Sequence, residues 1–278
     1  QKGDPLFFIL ALLIHILAMC VWALRIKWMR WGLGYHVPLL HCINLVFANL
    51  LVAAITPSQA GGEPVRVHEL YKAGVKVGDA TAIVITERIL DGFVLGLGGA
   101  FFMLVLGSMW QQIGSVYSYF LYASWIMMTA IALLFLYSVK NPLVLKRFLL
   151  RATRYIGKIR KKSRMEKYEQ MIDREVDNFH NTLSMFISKG KTGLFLGLLC
   201  SACFWFLEAV IVSVILIGLG QPPIIVESLI IQLIIAIIMM IPLTPGGSGI
   251  AEILFTSMYS IFVPTSLVGI LVVLWRSI

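Results

Sequence analysis

The hydrophobic positions of this chain form long runs separated by short polar or basic stretches. Six runs approach the ~20 residues that a helix needs to cross the hydrocarbon core of a bilayer. They cover residues 6–24, 38–55, 89–109, 116–139, 193–219 and 224–243, and a shorter run covers 267–275. The pattern predicts an all-α polytopic membrane protein, folded as one helical bundle.

Composition and the two chain ends agree with this interpretation. Charged residues make up 13% of the chain, against about 25% in soluble domains. The first run is followed by basic residues 25–30 rather than by a small-residue cleavage site, so it is interpreted as a membrane helix and not as a cleaved signal. Because the chain starts at Gln1 and stops at Ile278 inside an apolar run, we expect a further helix to be missing at either end.

Two of the runs end in breaks that repeat each other. Residues 56–63 are TPSQAGGE and residues 244–252 are TPGGSGIAE, and in each copy an arginine follows the threonine by 32 residues, at Arg88 and at Arg276. Proline and glycine end a helix and leave backbone groups unpaired. Internal repeats, interrupted helices and charges in apolar runs are typical of a binding site at a repeat interface in a membrane.

Basic residues predict the topology and the domain organisation. Residues 140–167 contain 11 of the 23 Lys and Arg and a single acid, so the positive-inside rule makes this segment cytoplasmic. Apolar positions continue from it at helical spacing, which predicts a basic amphipathic linker at 140–190 between membrane halves 1–139 and 191–278. A solvated basic loop would satisfy the same charge rule, and both interpretations stay open.

The same rule places residues 25–30 and 66–76 inside, which fixes the path of the segment between them. That segment begins and ends on one side, so it must enter the membrane, break at 56–64 and return. The second half starts from the opposite face and breaks at 244–252. The sequence therefore predicts two inverted-topology repeats, each with a re-entrant broken-helix hairpin.

The breaks and the charges beside them predict a site for an anionic group. Helix N-termini at membrane depth offer unpaired N–H groups and positive dipole ends, and charges inside apolar runs usually mark a pathway or a ligand. We expect Glu63, Arg88, Glu252 and Arg276 to converge on one cavity. Each feature also has an alternative interpretation. The breaks can be kinks that serve only packing, the charges can form structural ion pairs, and Glu63 and Glu252 can be acids that stabilise helix N-termini. The other candidates of this site are Glu87, Asp91, Gly246, Gly247 and Gly249, and Glu208 lies alone in the middle of its run.

Other chemistries find little support in the chain. The four cysteines lie in apolar runs, and the five histidines form no cluster with ligand spacing, so neither a metal site nor a cofactor is predicted. The hydrolase signatures GxSxG and HExxH do not occur, which argues against an enzyme. Nucleic-acid binding would suit the net charge of +9, but membrane topology explains the same charge without a further partner.

The order of these motifs resembles a known family. The motifs occur in this order: Pro57, Gly61-Gly62-Glu63 and Arg66, then Glu87-Arg88 and Asp91, then Pro245-Gly246-Gly247-Ser248-Gly249 with Glu252, and last Arg276. This order is similar to that of the lysylphosphatidylglycerol synthase/flippase transmembrane family, and the resemblance covers most of residues 6–278. Ser248 stands where the family usually has Leu. The resemblance adds Arg66 to the candidate site and implies movement of an anionic, aminoacylated or glycosylated lipid between leaflets. It does not imply the synthase reaction, which belongs to a soluble domain outside these residues.

Three function classes follow. The favoured one is a lipid flippase or scramblase of the plasma membrane, whose partner is a phospholipid or a lipid-linked sugar. The second is an accessory membrane subunit that presents a lipid to a separate glycosyl- or aminoacyl-transferase. The third is an ion-coupled transporter of a small anion. A homo-oligomer is compatible with each.

Overall fold

The computed structural model describes residues 3–56, 61–105, 190–238 and 249–278, with scattered positions between 126 and 188. Over these ranges the chain is helical and contains no strand, as the hydrophobic runs predict. Residues 57–60 of the first predicted break and 244–248 of the second lie outside the described residues, and so does the basic segment 140–167. The helices are α1 (Pro5–Gly32), α2 (Leu39–Ile55), α3 (Gly62–Lys72), α4 (Val77–Val105), α5 (Lys191–Gly218), α6 (Ile225–Ile238), α7 (Ile250–Tyr259) and α8 (Thr265–Ser277).

Two helices of the described part are long and apolar enough to cross a membrane. They are α1 and α5, each of 28 residues, or about 42 Å of helix. The first starts at Asp4, whose carboxylate accepts from Leu6 N at 3.0 Å as an N-cap. Both end alike, because Gly34 and Gly220 have positive φ of 83° and 74°. Each glycine closes a C-terminal turn that satisfies the last carbonyls of its helix.

Helices α1 and α5 are antiparallel and form the most extensive contact between helices of the described part. Asp4 N at the start of α1 donates to Gly218 O at the end of α5 at 3.0 Å. At the other end Gly32 and Gly193 meet, and a Cβ on Gly193 would lie only 2.9 Å from Trp28 O. Glycines at both ends therefore allow the two backbones to approach closely.

The helices on either side of the first break form an antiparallel hairpin. His41 Nε2 near the start of α2 lies 3.2 Å from Glu69 O near the end of α3. At the opposite end, Gly61 N donates to Thr56 Oγ1 at 3.0 Å. A Cβ on Gly62 would lie 2.5 Å from Asn49 Oδ1, so a larger residue where α3 begins requires the Asn49 side chain to shift. The hairpin's outer ends, Leu39 and Lys72, therefore lie together.

The second half repeats this order of elements. A 28-residue helix (α5), a shorter one (α6), a break and a 10-residue helix (α7) are followed by α8. The side chain of Tyr259 at the end of α7 lies against Ser228 and Gln232 of α6, as an antiparallel pair requires. The opposite insertion of the two halves, and their re-entry into a membrane, depend on a membrane frame and stay predictions, as do the domain boundaries.

The first hydrophobic run is longer than the sequence indicates. It was expected to end at residue 24 and to be followed by a basic cytoplasmic stretch, but α1 continues through that stretch to Gly32. Arg25 and Arg30 are 2% and 1% exposed. Helix α1 therefore continues past the predicted end of the run at residue 24, because these arginines find buried partners within the bundle. The side of the membrane on which residues 25–30 lie stays a prediction.

Candidate functional site

In each half an exposed ion pair joins the first turn of the helix after the break to the helix that follows. In the first half Arg88 Nε of α4 lies 3.7 Å from Glu63 Oε1 in the first turn of α3. In the second half Arg276 Nε of α8 lies 3.0 Å from Glu252 Oε1 in the first turn of α7. The two pairs occupy corresponding places in the repeated order of helices.

Both pairs are accessible from outside the protein. The side chains of Glu63 and Arg88 are 42% and 44% exposed, and those of Glu252 and Arg276 are 29% and 40% exposed. Exposed ion pairs are weak, typically below about 1 kcal/mol. An arginine held this loosely can exchange its carboxylate for another anion at little cost.

The second pair is also tied to the break. Gly249 has φ of 88°, a conformation that side chains rarely adopt. Its N–H donates to Glu252 Oε2 at 2.6 Å, while Oε1 of the same carboxylate faces Arg276. Glu252 therefore fixes the start of α7 and the position of Arg276 together.

Behind the first pair lies a buried charge network. Arg25 Nε of α1 donates to Glu87 Oε1 of α4 at 3.0 Å. Arg66 of α3 contacts the other oxygen of the same carboxylate. Trp22 packs under both guanidinium groups, with its ring centroid 6.0 Å from Arg25 Cζ and 5.5 Å from Arg66 Cζ. These contacts join α1, α3 and α4.

Asp91 connects this network to the exposed arginine. Its Oδ1 accepts from Arg25 Nη1 at 2.5 Å and from Trp205 Nε1 of α5 at 3.3 Å. Its Oδ2 lies 3.9 Å from Arg88 Nη1. Arg25 also donates to Ser201 Oγ of α5 at 2.8 Å. Asp91 thereby fixes one side of Arg88 while Glu63 holds the other.

The four charges of this buried network balance. Arg25 and Arg66 neutralise Glu87 and Asp91 within the buried network, so none of these four buried charges lacks a partner of opposite sign. Burial without such pairing would cost several kcal/mol per charge. The outer pair, Glu63 with Arg88, is thus left as the part of the cluster that can exchange partners.

The structure brings together most of the residues that the sequence singles out. Glu63, Arg66, Glu87, Arg88 and Asp91 form one cluster, and the expected i,i+3 pair of Arg88 with Asp91 is present. Arg66 lies beneath the accessible surface, at 1% exposure.

The second half yields a smaller group. Gly249, Glu252 and Arg276 are in contact with one another, whereas Gly246 and Gly247 lie outside the described residues. Within the described ranges no ion pair links the two halves' pairs. Their convergence on one cavity therefore stays a prediction.

Sequence reasoning missed Arg25, Trp22, Ser201 and Trp205. Arg25 was assigned to a polar flank because basic residues cluster at 25–30. A finer signal existed, since the buried positions of α1 at 18, 22, 25, 26 and 29 follow helical spacing and include that arginine. Where the chain is described, no three His, Cys, Asp or Glu side chains are grouped as a metal site would require.

Long apolar helices, small residues at their contact and a balanced charge network between them define a polytopic helical membrane protein. Residues 1–278 match the family described as the lysylphosphatidylglycerol synthase TM region. The chain belongs to that family, as its motifs indicated.

Curated relatives agree with this assignment. A UPF0104 membrane protein of Archaeoglobus fulgidus is 35% identical over all of this chain and 83% of its own length. One from Methanocaldococcus jannaschii is 24% identical over 98% of this chain and 80% of its own, and one from Methanothermobacter thermautotrophicus is 26% identical over 94% and 77%. No solved structure matches the chain.

Proposed function

We propose that this protein moves an anionic lipid, which may carry an aminoacyl or glycosyl group, between the two leaflets of the plasma membrane. The observation that carries the proposal is the repeated, half-exposed ion pair at a helix start beside each break, Glu63 with Arg88 and Glu252 with Arg276. A lipid phosphate needs a cation that is accessible, positioned and easily released by its own carboxylate. Both pairs meet these three requirements.

The barrier that such a protein must lower is electrostatic. A charge at the centre of a bilayer costs several kcal/mol or more, so an unassisted phosphate crosses slowly. The planar guanidinium of Arg88 or Arg276 can bind two phosphate oxygens at once, which a lysine ammonium cannot. Backbone N–H groups at the starts of α3 and α7 add partial positive charge at the same place. Acyl chains would meanwhile stay in the bilayer.

The carboxylates complete the exchange. While no lipid is bound, Glu63 and Glu252 neutralise their arginines, so neither arginine is a lone charge in the membrane. When a phosphate arrives, the carboxylate is freed and can face a cationic group, such as the amine of an aminoacylated headgroup. Asp91 keeps the Arg88 side chain in place during the exchange, since Arg25 and Trp205 hold that carboxylate from behind.

The inverted insertion of the two halves belongs to this proposal. Two pairs that meet at one cavity from opposite sides of the membrane would receive lipid from the two leaflets in turn. The antiparallel contact of the equivalent helices α1 and α5 supports that arrangement, because inversion reverses the direction of corresponding helices. The helical hairpin of α2 and α3 supports re-entry, since α3 has 11 residues, about 16 Å, and is too short to cross a ~30 Å core.

The test is lipid movement by the purified protein in liposomes. A fluorescent phosphatidylglycerol is followed by its accessibility to a membrane-impermeant quencher, for the parent, Arg88→Ala and Arg276→Ala. Each alanine variant should slow the movement at least about tenfold, equivalent to about 1.4 kcal/mol of barrier. The rate of lipid movement by Arg88→Lys should lie between those of the parent and Arg88→Ala, because lysine keeps the positive charge but cannot bind two phosphate oxygens at once. Lys72→Ala, which removes an exposed charge of α3 far from the break, is the matched control.

Two outcomes would contradict the proposal. The first is that folded Arg88→Ala and Arg276→Ala proteins move lipid as fast as the parent. The second is that the parent moves no lipid under any gradient. That second result would favour the accessory subunit that presents a lipid to a transferase.

A further inference from the structure

A second polar contact joins α1 and α5, outside the charge network of the site. His15 Nδ1 lies 3.3 Å from Glu208 Oε1, and the two side chains are 25% and 19% exposed. The contact is not aligned as a hydrogen bond, and the buried Oε1 has no hydrogen-bond donor of its own. A buried carboxylate oxygen without a donor is costly, and a proton at that position removes the cost.

The pair lies in the middle of both long helices. His15 is ten residues from Pro5 and Glu208 is ten residues from Gly218, each within a 28-residue helix. Because the helices are antiparallel, both residues lie about 15 Å from the same end of the bundle, which is half of a ~30 Å bilayer core that begins at that end. A titratable pair at this depth connects the two equivalent helices of the two halves.

Electrostatics at this depth favours one bound proton. With one proton, the pair is either imidazolium with carboxylate or imidazole with carboxylic acid, and both forms are neutral overall. Removing the proton leaves one negative charge between α1 and α5, and adding a second leaves one positive charge. Either charge is costly in the membrane interior. The proton can leave only when water or another charge reaches the pair.

Other titratable groups on the surrounding helices are few. Helices α2, α4, α6 and α8 pack against α1 or α5. Their titratable or charged residues are His41 and Cys42 on α2, Asp79, Glu87, Arg88 and Asp91 on α4, Glu227 on α6 and Arg276 on α8. The two long helices themselves carry Cys20, Arg25, Lys27 and Arg30 on α1, and Lys191, Cys200 and Cys203 on α5. Within the described residues neither His15 nor Glu208 has another ionic partner. Asp91 of α4 accepts from Trp205, which lies three residues before Glu208 on α5.

We propose that His15 and Glu208 form a proton-binding site between the two halves, and that its proton is released and taken up in each cycle of lipid movement. Proton binding itself needs no lipid. Its use to drive lipid between leaflets rests on the proposed function. The site thereby provides an energy source, the transmembrane proton gradient, for the movement proposed above.

Proton binding is tested on the full chain in phosphatidylcholine nanodiscs, by potentiometric titration and infrared difference spectra over about pH 5 to 8, where imidazole ordinarily changes charge. Over this range the parent should exchange about one proton per chain more than His15→Gln or Glu208→Gln, and a carboxyl band should be lost in Glu208→Gln. The exchange of positions, His15→Glu with Glu208→His, should restore the proton. Glu227→Gln is the matched control, and it should keep the carboxyl band that Glu208→Gln loses.

Several outcomes would overturn the site. They are equal proton exchange by the parent and both single variants, a carboxyl band that persists in Glu208→Gln, and an exchanged pair that does not restore the proton. If Glu208→Gln fails to fold, the NMR resonance of the His15 imidazole nitrogen is followed in the parent instead. It is assigned by its absence from His15→Gln, and it must shift between about pH 5 and 8. A resonance that does not shift overturns the site equally.

Coupling is tested separately in the liposome assay. A pH gradient should speed lipid movement by the parent, and Glu208→Gln should lose that acceleration while keeping the gradient-free rate. If the parent moves lipid at the same rate with and without the pH gradient, the proposed coupling is wrong. A parent that moves no lipid overturns the proposed function instead, and the proton titration then decides the site by itself.

Discussion

Arg25 and Glu87 are 62 residues apart in the chain, and their side chains form a buried ion pair with Nε 3.0 Å from Oε1. The pair holds α1 against α4, and through Arg66 it also holds α3. Because Asp91 accepts from the same arginine, the position of the exposed Arg88 depends on Arg25. A residue far from the break thus determines the geometry of the proposed lipid site.

Replacing Arg25 by methionine should destabilise the protein strongly. The change leaves Asp91 without its main cation in a buried position, and breaking a buried pair costs about 3–5 kcal/mol. The measurement is the free energy of unfolding in detergent micelles, compared with Lys27→Met on the same helix. Lys27 lies over the Trp28 ring and has no buried carboxylate partner among the described residues. Equal losses for the two variants would contradict the role of Arg25.

The architecture of the first half could be predicted from its sequence because each element has a local signal. Residues 39–55 are apolar apart from His41, Asn44 and Asn49, the glycines at 61 and 62 follow in the break, and helical spacing resumes at Glu63. The apolar runs have no such precision at their ends. The first run appeared to stop at residue 24 because arginine is polar, whereas α1 continues to Gly32 with its arginines facing the core.

The partners of the charges could be predicted only in part. Arg88 with Asp91 follows from i,i+3 spacing on one helix, and Glu63 with Arg88 follows from the repeat. By contrast, Arg25 with Glu87 and His15 with Glu208 join helices that are distant in the chain. Such pairs depend on how α1 packs against α4 and α5, and one sequence carries no signal for that packing.

Replacing Gly62 by alanine should destabilise the hairpin of α2 and α3. The new Cβ would lie 2.5 Å from Asn49 Oδ1, so either the buried Asn49 side chain shifts or the two helices separate. We expect a loss of about 1–3 kcal/mol in the free energy of unfolding, as for other overpacked sites. Gly96→Ala is the matched control, because a Cβ there meets nothing within 4 Å and lies in a helix, where alanine is favoured over glycine.

The double variant Gly62→Ala with Asn49→Ala identifies the cause of that loss. Truncating Asn49 removes the atoms that the new Cβ would meet, so the double variant should recover part of the stability that Gly62→Ala loses. Additive losses in the double variant would mean that Gly62 is needed for its backbone conformation and not for its small size.

The loop between α1 and α2 should make stability depend on pH in the alkaline range. Tyr35 donates its hydroxyl to Asp79 at the start of α4, and Thr182 donates to the same carboxylate. Burial raises the pKa of Tyr35 to about 12, and the hydrogen bond to Asp79 adds to the rise. The folded protein therefore holds the phenol proton more tightly than the unfolded chain, whose tyrosine pKa is about 10.

The sign of the effect follows from that difference. Between about pH 10 and pH 12 the folded state binds more protons than the unfolded state, so the free energy of unfolding falls as the pH rises. The contribution of Tyr35 is complete below about pH 10 and is lost by about pH 12. Tyr35→Phe should remove this part of the pH dependence, measured as the difference in unfolding midpoint between pH 9 and pH 11. Tyr71→Phe, at an exposed tyrosine of α3, is the control that should leave the dependence unchanged. An identical slope for Tyr35→Phe and the parent would mean that the phenol of Tyr35 ionises as freely in the folded protein as in the unfolded chain.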